Sequence, residues 1–428
     1  MSNPILKTEL SEDILLNCMR CGFCLSSCPT YRLLEVEPAS PRGRIALMRA
    51  AHEGKLDILD VAPKLDACLG CRACEAVCPA GVPYGQLLEE GRAAVAQRRP
   101  NPWYARFVYK WIFGTPAGIK LAGWGLWFYQ VTGLRALARG LGLVERIGGK
   151  GMAAMEAAVP DGASPLRRAQ RQALTPAVGT RRHRVAFFSG CVSDIVFYET
   201  NQNAIEVLAA AGCEVEFPKG QGCCGAVHGH SGEHDMAVVQ AKRNIAAFEA
   251  GGYDYVVNTA GGCGAALKEY GKLLAHDPEW AERAAKFSRT VRDFSELLAT
   301  LEPLPLGEMD GTYTYQDSCH LRNVQKITAQ PRNLLKAVPG AKYVELPESD
   351  QCCGAAGTYA MTQADNSDRI LSRKMQHVVG TGADTVIVVN PPCQLEMIEG
   401  VQRAGLQDKI KVRHIADVLA EALRKGRK

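Results

Sequence analysis

The chain has 428 residues, of which 47% are hydrophobic and 22% are charged, and this balance excludes a disordered chain, a collagen-like repeat and a coiled-coil rod. The length predicts about three folded units at roughly 150 residues each. The net charge is only +5, and residues 101–184 hold a concentrated excess of 13 basic over 3 acidic residues. A local excess of this kind is a surface feature, and it does not indicate a nucleic-acid partner.

Seventeen cysteines are grouped tightly along the chain. No N-terminal stretch resembles a signal peptide, so we expect a cytoplasmic protein whose thiols stay reduced. Metal ligation or redox chemistry is then the leading interpretation of the cysteines, ahead of a disulfide framework.

Two copies of the motif C-x2-C-x2-C-x3-C-P begin at Cys18 and Cys68. In two-cluster ferredoxins the first three thiolates hold one iron–sulfur cluster, and the fourth ligates the other cluster. Structural zinc is the alternative, but two separated pairs of ligands, as zinc prefers, do not explain triplets followed by Cys-Pro. We therefore predict two 4Fe-4S clusters, the first held by Cys18, Cys21, Cys24 and Cys78 and the second by Cys68, Cys71, Cys74 and Cys28.

Helical patterns surround these motifs. Ser40-Pro41 is typical of an N-cap followed by the first helical residue, and a second helix fits residues 84–97. Residues 1–98 are thus predicted to form an α-helical ferredoxin-like domain. Arg42 and Arg44, on the first helical turn, either face solvent or hydrogen-bond a cluster environment or a partner.

Residues 99–184 are predicted to be a basic, aromatic helical connector and linker. Ten of the 29 aromatic residues lie between Trp103 and Tyr129, and the longest uncharged run, residues 121–134, is too short for a membrane span of about 20 residues. Aromatic rings among basic side chains predict that residues 101–150 dock on a lipid headgroup surface, on a quinone-linked acceptor or on a partner subunit. The alternative is a hairpin packed on the ferredoxin-like domain. Residues 160–184 are expected to be a mobile linker.

The remaining sequence is duplicated, and the copies are predicted as domains 185–301 and 310–424. Each contains a Cys-Cys-Gly block, and each closes with a similar amphipathic helix, after Val291 and after Val412. Short apolar strands alternate with helices, which predicts a parallel sheet in each copy. The fold class is therefore α+β multidomain: an α-helical ferredoxin-like domain followed by two α/β cysteine-rich domains.

In each copy the cysteines follow the carboxyl ends of strands, the edge at which open α/β sheets bind ligands. Four thiolates per copy could hold a cluster or perform thiol chemistry. The two sets are Cys191, Cys223, Cys224 and Cys263, and Cys319, Cys352, Cys353 and Cys393. Cys213 has no counterpart and is interpreted as a buried apolar residue. His228 and His320 either tune a nearby sulfur or are loop histidines with satisfied hydrogen bonds.

With these motifs in hand, the chain resembles the iron–sulfur subunits of bacterial glycolate oxidases. The residues that carry the resemblance are Cys18 to Cys24, Pro29-Thr-Tyr31, Ser40-Pro-Arg-Gly-Arg44 and the two Cys-Cys-Gly blocks. The resemblance implies an electron-transfer subunit that receives electrons from a FAD-containing 2-hydroxy-acid dehydrogenase partner oxidising glycolate to glyoxylate. It further implies a quinone or other membrane acceptor, and a position in the cytoplasm or on the inner face of the cell membrane. Catalytic residues on this chain stay unknown.

Related families leave alternatives open: the subunit of a D-lactate or other 2-hydroxy-acid dehydrogenase, a disulfide reductase similar to heterodisulfide reductase, and a protein whose clusters are structural. The reductases carry a C-x2-C ending that supplies a fifth thiolate, and here Ala266 and Glu396 stand in its place. This departure argues against disulfide reduction and leaves open whether one or both repeats bind an additional cluster. No nucleotide fingerprint is found, so flavin and NAD are expected on another subunit.

Overall fold

A computed structural model describes residues 8–427, so the first seven residues of the predicted 1–98 domain lie outside the described residues. Six helices and a 3-10 turn (Glu37–Ala39) form the N-terminal domain. Ser40 caps the third helix by accepting a hydrogen bond from the Gly43 amide at 2.9 Å, and Pro41 follows at the first helical position. The helices are α1 (Glu12–Leu16), α2 (Pro29–Leu34), α3 (Pro41–His52), α4 (Ile58–Asp66), α5 (Ala73–Ala76) and α6 (Tyr84–Arg98).

The connector is helical, as predicted, but its inner side packs on the cysteine-rich repeats and not on the N-terminal domain. Tyr109 accepts a hydrogen bond at its carbonyl from His228, and the Gly114 carbonyl accepts bonds from Gln240 and Arg243. The alternative of a hairpin on the ferredoxin-like domain is therefore wrong. The elements are α7 (Trp103–Phe107), a π-helical turn (Val108–Phe113), α8 (Pro116–Val131), α9 (Leu134–Gly140) and α10 (Leu143–Ala158).

Residues 160–184 are not the mobile linker that their composition suggests. A short helix, α11 (Pro165–Ala169), is followed by strand β1 (Leu174–Thr175), which pairs with the first repeat's sheet. Between them Arg171 stacks on the rings of Tyr198 and Phe217 and forms an ion pair with Asp194. These contacts are tertiary, so a local count of prolines and arginines could not reveal them.

The first repeat contains a five-stranded sheet in the order β1-β3-β2-β4-β5, parallel except for β1. The strands after β1 are β2 (His183–Phe188), β3 (Cys213–Glu216), β4 (Tyr255–Asn258) and β5 (Val291–Asp293). The helices are α12 (Cys191–Val196), α13 (Tyr198–Ala210), α14 (Ala226–His230), α15 (His234–Glu249), α16 (Gly261–Leu273), α17 (Ala281–Thr290) and α18 (Phe294–Leu298).

The second repeat has an all-parallel sheet in the order β7-β6-β8-β9. Its strands are β6 (Thr312–Gln316), β7 (Lys342–Tyr343), β8 (Thr385–Val388) and β9 (Lys411–Arg413). A π-helical turn (His320–Val324) follows β6. The helices are α19 (Ala329–Lys336), α20 (Tyr359–Thr362), α21 (Ala364–Gly380), α22 (Pro391–Arg403) and α23 (Ile415–Gly426). Together with the first sheet, this confirms the predicted fold class.

The two repeats share one hydrophobic core. Val185 and Phe187 of β2 point into it, as do Tyr313 and Tyr315 of β6, whereas Ala186 and the other alternate residues point to separate outer cores. A strand's side chains alternate between its two faces, so strands covered on both sides need the unbroken apolar runs found here. The repeats therefore form one body around a common interior.

The predicted closing helices are present in both repeats, each preceded by a short edge strand that was not predicted. Both begin with a capping box, formed by Asp293 and Glu296 ahead of α18 and by His414 and Asp417 ahead of α23. The edge strands β5 and β9 have only three residues each, and two of the three are charged in both, so they are too short and too polar to show the apolar alternation by which strands are recognised.

Candidate iron–sulfur sites

Cysteines of both ferredoxin-like motifs line a cavity at the protein surface, here called the outer cavity. Cys21 is exposed, and the neighbouring Met19 and Phe23 are 65% and 66% exposed. These thiols can therefore be approached from solvent or by a partner. The cysteines in the lining are Cys18, Cys21, Cys24, Cys74 and Cys78.

A second cavity, here called the inner cavity, lies deeper in the same domain. All four of its cysteines are buried. Cys28 comes from the first motif and Cys68, Cys71 and Cys74 from the second, so each motif contributes its last cysteine to the cavity of the other. Cys74 lines both cavities, which places them wall to wall.

The two motif loops curve round their cavities with the same backbone shape. The residues on either side of the second cysteine are left-handed in both loops: Arg20 and Gly22 have φ of 56° and 92°, and Gly70 and Arg72 have φ of 60° and 58°. At Gly22 the first-motif loop also packs closely on Arg42, because a Cβ added at this position would lie 2.9 Å from Arg42 Nη1. A larger residue there would be strained by both its φ and this contact.

Positive charge and hydrogen bonds favour the thiolate of Cys68 in the inner cavity. Burial opposes its ionisation, yet the nearby Arg44 and Arg92 guanidinium groups lower its pKa. The Tyr84 hydroxyl donates to its Sγ at 3.5 Å, and the Gly70 amide donates at 3.4 Å. By contrast, burial raises the pKa of the neighbouring Cys71 thiol well above its ordinary value.

The four cysteines of the first repeat follow β2, β3 and β4 at one sheet edge. Cys191 begins α12, and its Sγ lies 3.6 Å from the Sγ of Cys223. Buried polar groups hold the Cys-Cys-Gly turn: Asn244 donates to the Cys223 carbonyl at 2.9 Å, and Tyr270 donates to the Cys224 carbonyl at 2.8 Å. This first-repeat site consists of Cys191, Cys223, Cys224 and Cys263, and the thiols of the last two are hydrogen-bonded neighbours.

The second-repeat site consists of Cys319, Cys352, Cys353 and Cys393, in the corresponding positions. Hydrogen bonding with Cys352 and burial raise the pKa of the Cys319 thiol well above its ordinary value. Glu396, which stands where the disulfide reductases have a fifth thiolate, is 3% exposed and accepts a hydrogen bond from Ser367 at 2.7 Å. Burial raises the pKa of Glu396 to about 7.

The inner cavity and the second-repeat site are in contact. Leu69 and Cys71 share one apolar cluster with Cys352, and Cys319 packs against that cluster. Two side chains that follow Cys319 hold the second motif loop in place. Asn323 donates to the Cys71 carbonyl at 2.9 Å, and His320 Nε2 lies 3.0 Å from the Gly70 carbonyl oxygen.

The two repeat sites are joined through Asn390. Its Nδ2 lies 3.5 Å from the Cys393 Sγ, and its Oδ1 accepts a hydrogen bond at 3.0 Å from the amide of Gly262, next to Cys263. The Gly261 amide also donates to the Val389 carbonyl at 3.0 Å. From the outer cavity to the first repeat, the four thiol groups thus form one contiguous series.

Several residues at these sites could not be identified from sequence. Asn323 and Asn390 lie outside the cysteine motifs, whereas Arg44 is one of the two arginines for which a cluster environment is considered, and it lines the inner cavity. His228 Nε2 and His320 Nε2 each lie 3.0 Å from a backbone carbonyl oxygen, whereas the buried Nδ1 of His228 has no hydrogen-bond partner among the described residues, so the roles of these two histidines stay predictions. Cys213 is fully buried in the shared core, as predicted.

The donor sets of the two ferredoxin-like cavities fit iron–sulfur clusters. Several thiols line each cavity, as a cluster requires, and the inner cavity adds a buried guanidinium that suits an anionic occupant. Within residues 8–427, no three His, Cys, Asp or Glu side chains meet closely enough to bind a single metal ion. The repeats offer four thiols each, a donor set that is also typical of a cluster.

Three family models match separate parts of the chain. The 4Fe-4S dicluster domain matches residues 14–82, and the cysteine-rich domain matches residues 185–268 and 313–398. The model for the linker region of the glycolate oxidase iron–sulfur subunit matches residues 100–159. These matches follow the same order as the helical domain, connector and repeats described above.

Two full-length relatives and one shorter relative are similar in sequence. A probable glycolate oxidase iron–sulfur subunit from Bacillus subtilis is 45% identical, over 97% of this chain and 96% of its own length. The glycolate oxidase iron–sulfur subunit of Escherichia coli is 32% identical over the same shares. Lactate utilization protein A from Halalkalibacterium halodurans is 34% identical over 55% of this chain and 96% of its own length.

Proposed function

Because the chain belongs to the family of glycolate oxidase iron–sulfur subunits, we propose that it is the electron-transfer subunit of a flavin-dependent glycolate dehydrogenase. A FAD-containing partner would oxidise glycolate to glyoxylate, which releases two electrons and two protons, and the flavin would pass the electrons on singly. This chain would carry them to a quinone or another membrane acceptor. The observation that carries the proposal is the contiguous series of four thiol sites.

Within this proposal, the outer and inner cavities each hold one 4Fe-4S cluster, a group that takes up and releases one electron at a time. Cys18, Cys21, Cys24 and Cys78 would be the ligands in the outer cavity, and Cys28, Cys68, Cys71 and Cys74 those in the inner cavity. The cavity linings support these two sets.

Contacts between the four sites would keep them close together. Cys74 forms a common wall between the two cavities. Asn323 and His320 fix the inner-cavity loop against the second repeat, and Asn390 ties the second-repeat site to the first. Electron transfer through protein requires short separations, so these contacts would favour passage along the series.

We extend the proposal to an additional cluster in one or both repeats. Two observations support it: four thiols meet at each sheet edge, and hydrogen-bonded side chains such as Asn244 and Tyr270 fix the backbone around them.

The exposed face of the connector supports a membrane contact through residues 101–150. On α8 the outward residues Leu121, Trp124, Phe128 and Val131 are 46–68% exposed and recur at helical spacing. Trp103 and Trp111 are also largely exposed, among basic side chains. Within residues 8–427, no helix has the length and apolar composition to cross a membrane. We propose that this face rests on the headgroup layer of the inner face of the cell membrane.

Anaerobic affinity purification from the native host tests the proposal. We expect a flavoprotein to accompany the chain and the complex to reduce both an artificial dye and a quinone analogue with glycolate. A Cys71→Ser variant should lose quinone reduction while the flavin still reduces a dye directly, and Cys213→Ser, outside all four sites, should behave as wild type. If no flavoprotein accompanies the chain and glycolate reduces neither acceptor, the proposal fails.

The second candidate is the iron–sulfur subunit of a dehydrogenase that oxidises D-lactate or another 2-hydroxy acid. It is favoured by the similarity to lactate utilization protein A over 55% of this chain. Assays of the same purified complex with both acids distinguish the two candidates. Faster reduction of the dye with D-lactate than with glycolate would leave the proposed electron path unchanged but would change the substrate. Disulfide reduction is a weaker candidate, because the buried Glu396 offers a carboxyl group where those enzymes use a thiolate.

A further inference from the structure

Arg44 is the largest fully buried side chain of the described residues, with no exposed surface, and it lines the inner cavity. The segment Ser40-Pro-Arg-Gly-Arg44 explains how it gets there. Ser40 and Pro41 start α3, and Gly43 lets the helix pass so close to the preceding turn that an added Cβ would lie 2.0 Å from the Glu37 carbonyl oxygen. This close approach turns the side chain of Arg44 toward the domain interior.

The hydrogen bonds of Arg44 all go to uncharged oxygens. Nε donates to the Lys64 carbonyl at 2.7 Å, Nη1 to the Ala39 carbonyl at 2.8 Å, and Nη2 to the Thr30 hydroxyl at 3.2 Å and the Ala67 carbonyl at 3.3 Å. Among residues 8–427 no carboxylate forms an ion pair with it. A buried charge without a counter-ion is strongly unfavourable, so its occurrence here requires a negative partner.

The inner-cavity thiols are that partner. Arg44 lines the same cavity as Cys28, Cys68, Cys71 and Cys74. The Thr30 hydroxyl connects the two, since it lies 3.2 Å from Arg44 Nη2 and 3.3 Å from Cys28 Sγ.

We propose that Arg44 is an electrostatic positioning residue, whose buried charge raises the reduction potential of the cluster held by Cys28, Cys68, Cys71 and Cys74. A cluster bound by four thiolates is an anion, and reduction adds a further negative charge, so a nearby cation stabilises the reduced form. Burial acts in the opposite direction, because it withdraws the solvent that would stabilise that charge. Arg44 thus keeps a deeply buried centre reducible. The inference rests on the cluster binding stated under the proposed function.

Among residues 8–427, no fully buried cation lines the outer cavity. Arg42, two residues earlier on the same helix turn, is partly exposed and bonded to Glu37 at 2.8 Å, so much of its charge is cancelled and screened. The two cavities therefore differ in their fixed charge, and Arg42 serves as a matched control for Arg44.

The test is a redox titration of the purified complex followed by electron paramagnetic resonance. In Arg44→Gln we expect the reduced-to-oxidised ratio of the inner cluster to fall at least tenfold at a fixed potential, which is about 59 mV for a one-electron couple. The outer cluster should titrate as in wild type, and Cys21→Ala, which removes an outer ligand, identifies its wave. Arg42→Gln should leave the inner wave unchanged.

The Arg44→Lys variant separates the effect of the positive charge from that of the hydrogen bonds that Arg44 donates. It keeps the positive charge but loses most of the hydrogen bonds, so we expect a lower melting temperature with a potential close to wild type. If Arg44→Gln titrates as wild type, or if the potential shifts as far in Arg44→Lys, the inference is overturned. If Arg44→Gln assembles poorly, the test rests on Arg44→Lys. Loss of the inner cluster in Arg44→Lys would also overturn the inference. Fewer than two clusters in the wild-type protein would instead contradict the ligand sets.

Discussion

Cys28 and Cys78 each lie in the cavity formed by the other motif's triplet. The motif spacing predicts this exchange, because the proline after each of them turns the chain away from its own loop. Arg44 shows the opposite case. Its burial depends on carbonyl groups of Lys64 and Ala67 at the end of another helix, and no local pattern announces such a tertiary contact.

At the same scale, we expect Cys28→Ser and Cys78→Ser to lose different clusters. Cys28→Ser should remove the buried centre and Cys78→Ser the exposed one, each leaving about half of the ferredoxin-type iron. Iron analysis gives the amount, and access to a bulky, membrane-impermeant chelator shows which centre remains, since only the outer cavity is open. Cys213→Ser should keep the full iron content. Equal loss of both centres in each variant would contradict the exchange.

Helix α8 is apolar on both of its faces. Gly118 and Gly123 lie on the inner face, where an added Cβ would collide with the Trp111 carbonyl oxygen and the Arg168 guanidinium, respectively. The sequence indicates the aromatic surface of this region but not its orientation. Trp124 is 46% exposed, whereas Trp127 is half-buried and stacks edge to face on it at 5.9 Å. Only the packed structure distinguishes the two rings.

For this element we expect Trp124→Ser combined with Phe128→Ser to weaken membrane binding at least tenfold, because each ring buried in the interface contributes roughly 1.5–3 kcal/mol. Flotation with phosphatidylglycerol-containing vesicles measures the effect, and phosphatidylcholine vesicles show how much depends on the basic side chains. Val379→Ser, at an equally exposed site on α21, is the control. Unchanged flotation of the double variant would refute the membrane contact, and loss of the flavoprotein instead would assign the face to the partner subunit.

On the scale of the whole molecule, the duplication could be deduced from the repeated cysteines, but the arrangement of the copies could not. They share an apolar core and interlock across it: Asp417, at the start of α23, accepts bonds from Thr200 and Asn203 of α13. His414 reaches across to the Thr259 carbonyl at 2.9 Å. In the sequence, the apolar residues of this interior indicate only buried strands and helices. They do not indicate that the two repeats pack against each other.

Iron content tests what the repeats bind. If only the ferredoxin-like cavities hold clusters, the chain should contain about eight irons, and we expect more because the repeats supply two further thiol sets. In that case Cys223→Ser, Cys352→Ser or both should lower the iron content relative to Cys213→Ser, according to which repeat binds a cluster. A content of about eight irons, unaffected by both substitutions, would show that the repeats bind no cluster.

The bridge at Asn390 has a consequence for how the two copies can diverge. The second repeat contacts the inner cavity, and Asn390 joins the site of the second repeat to that of the first. Cys352 packs against the inner cavity as well as within its own repeat, whereas Cys223 lies beside Cys191 within the first-repeat site. We therefore expect the two halves to carry unequal mutational risk, with substitutions near the thiols tolerated more readily in the first.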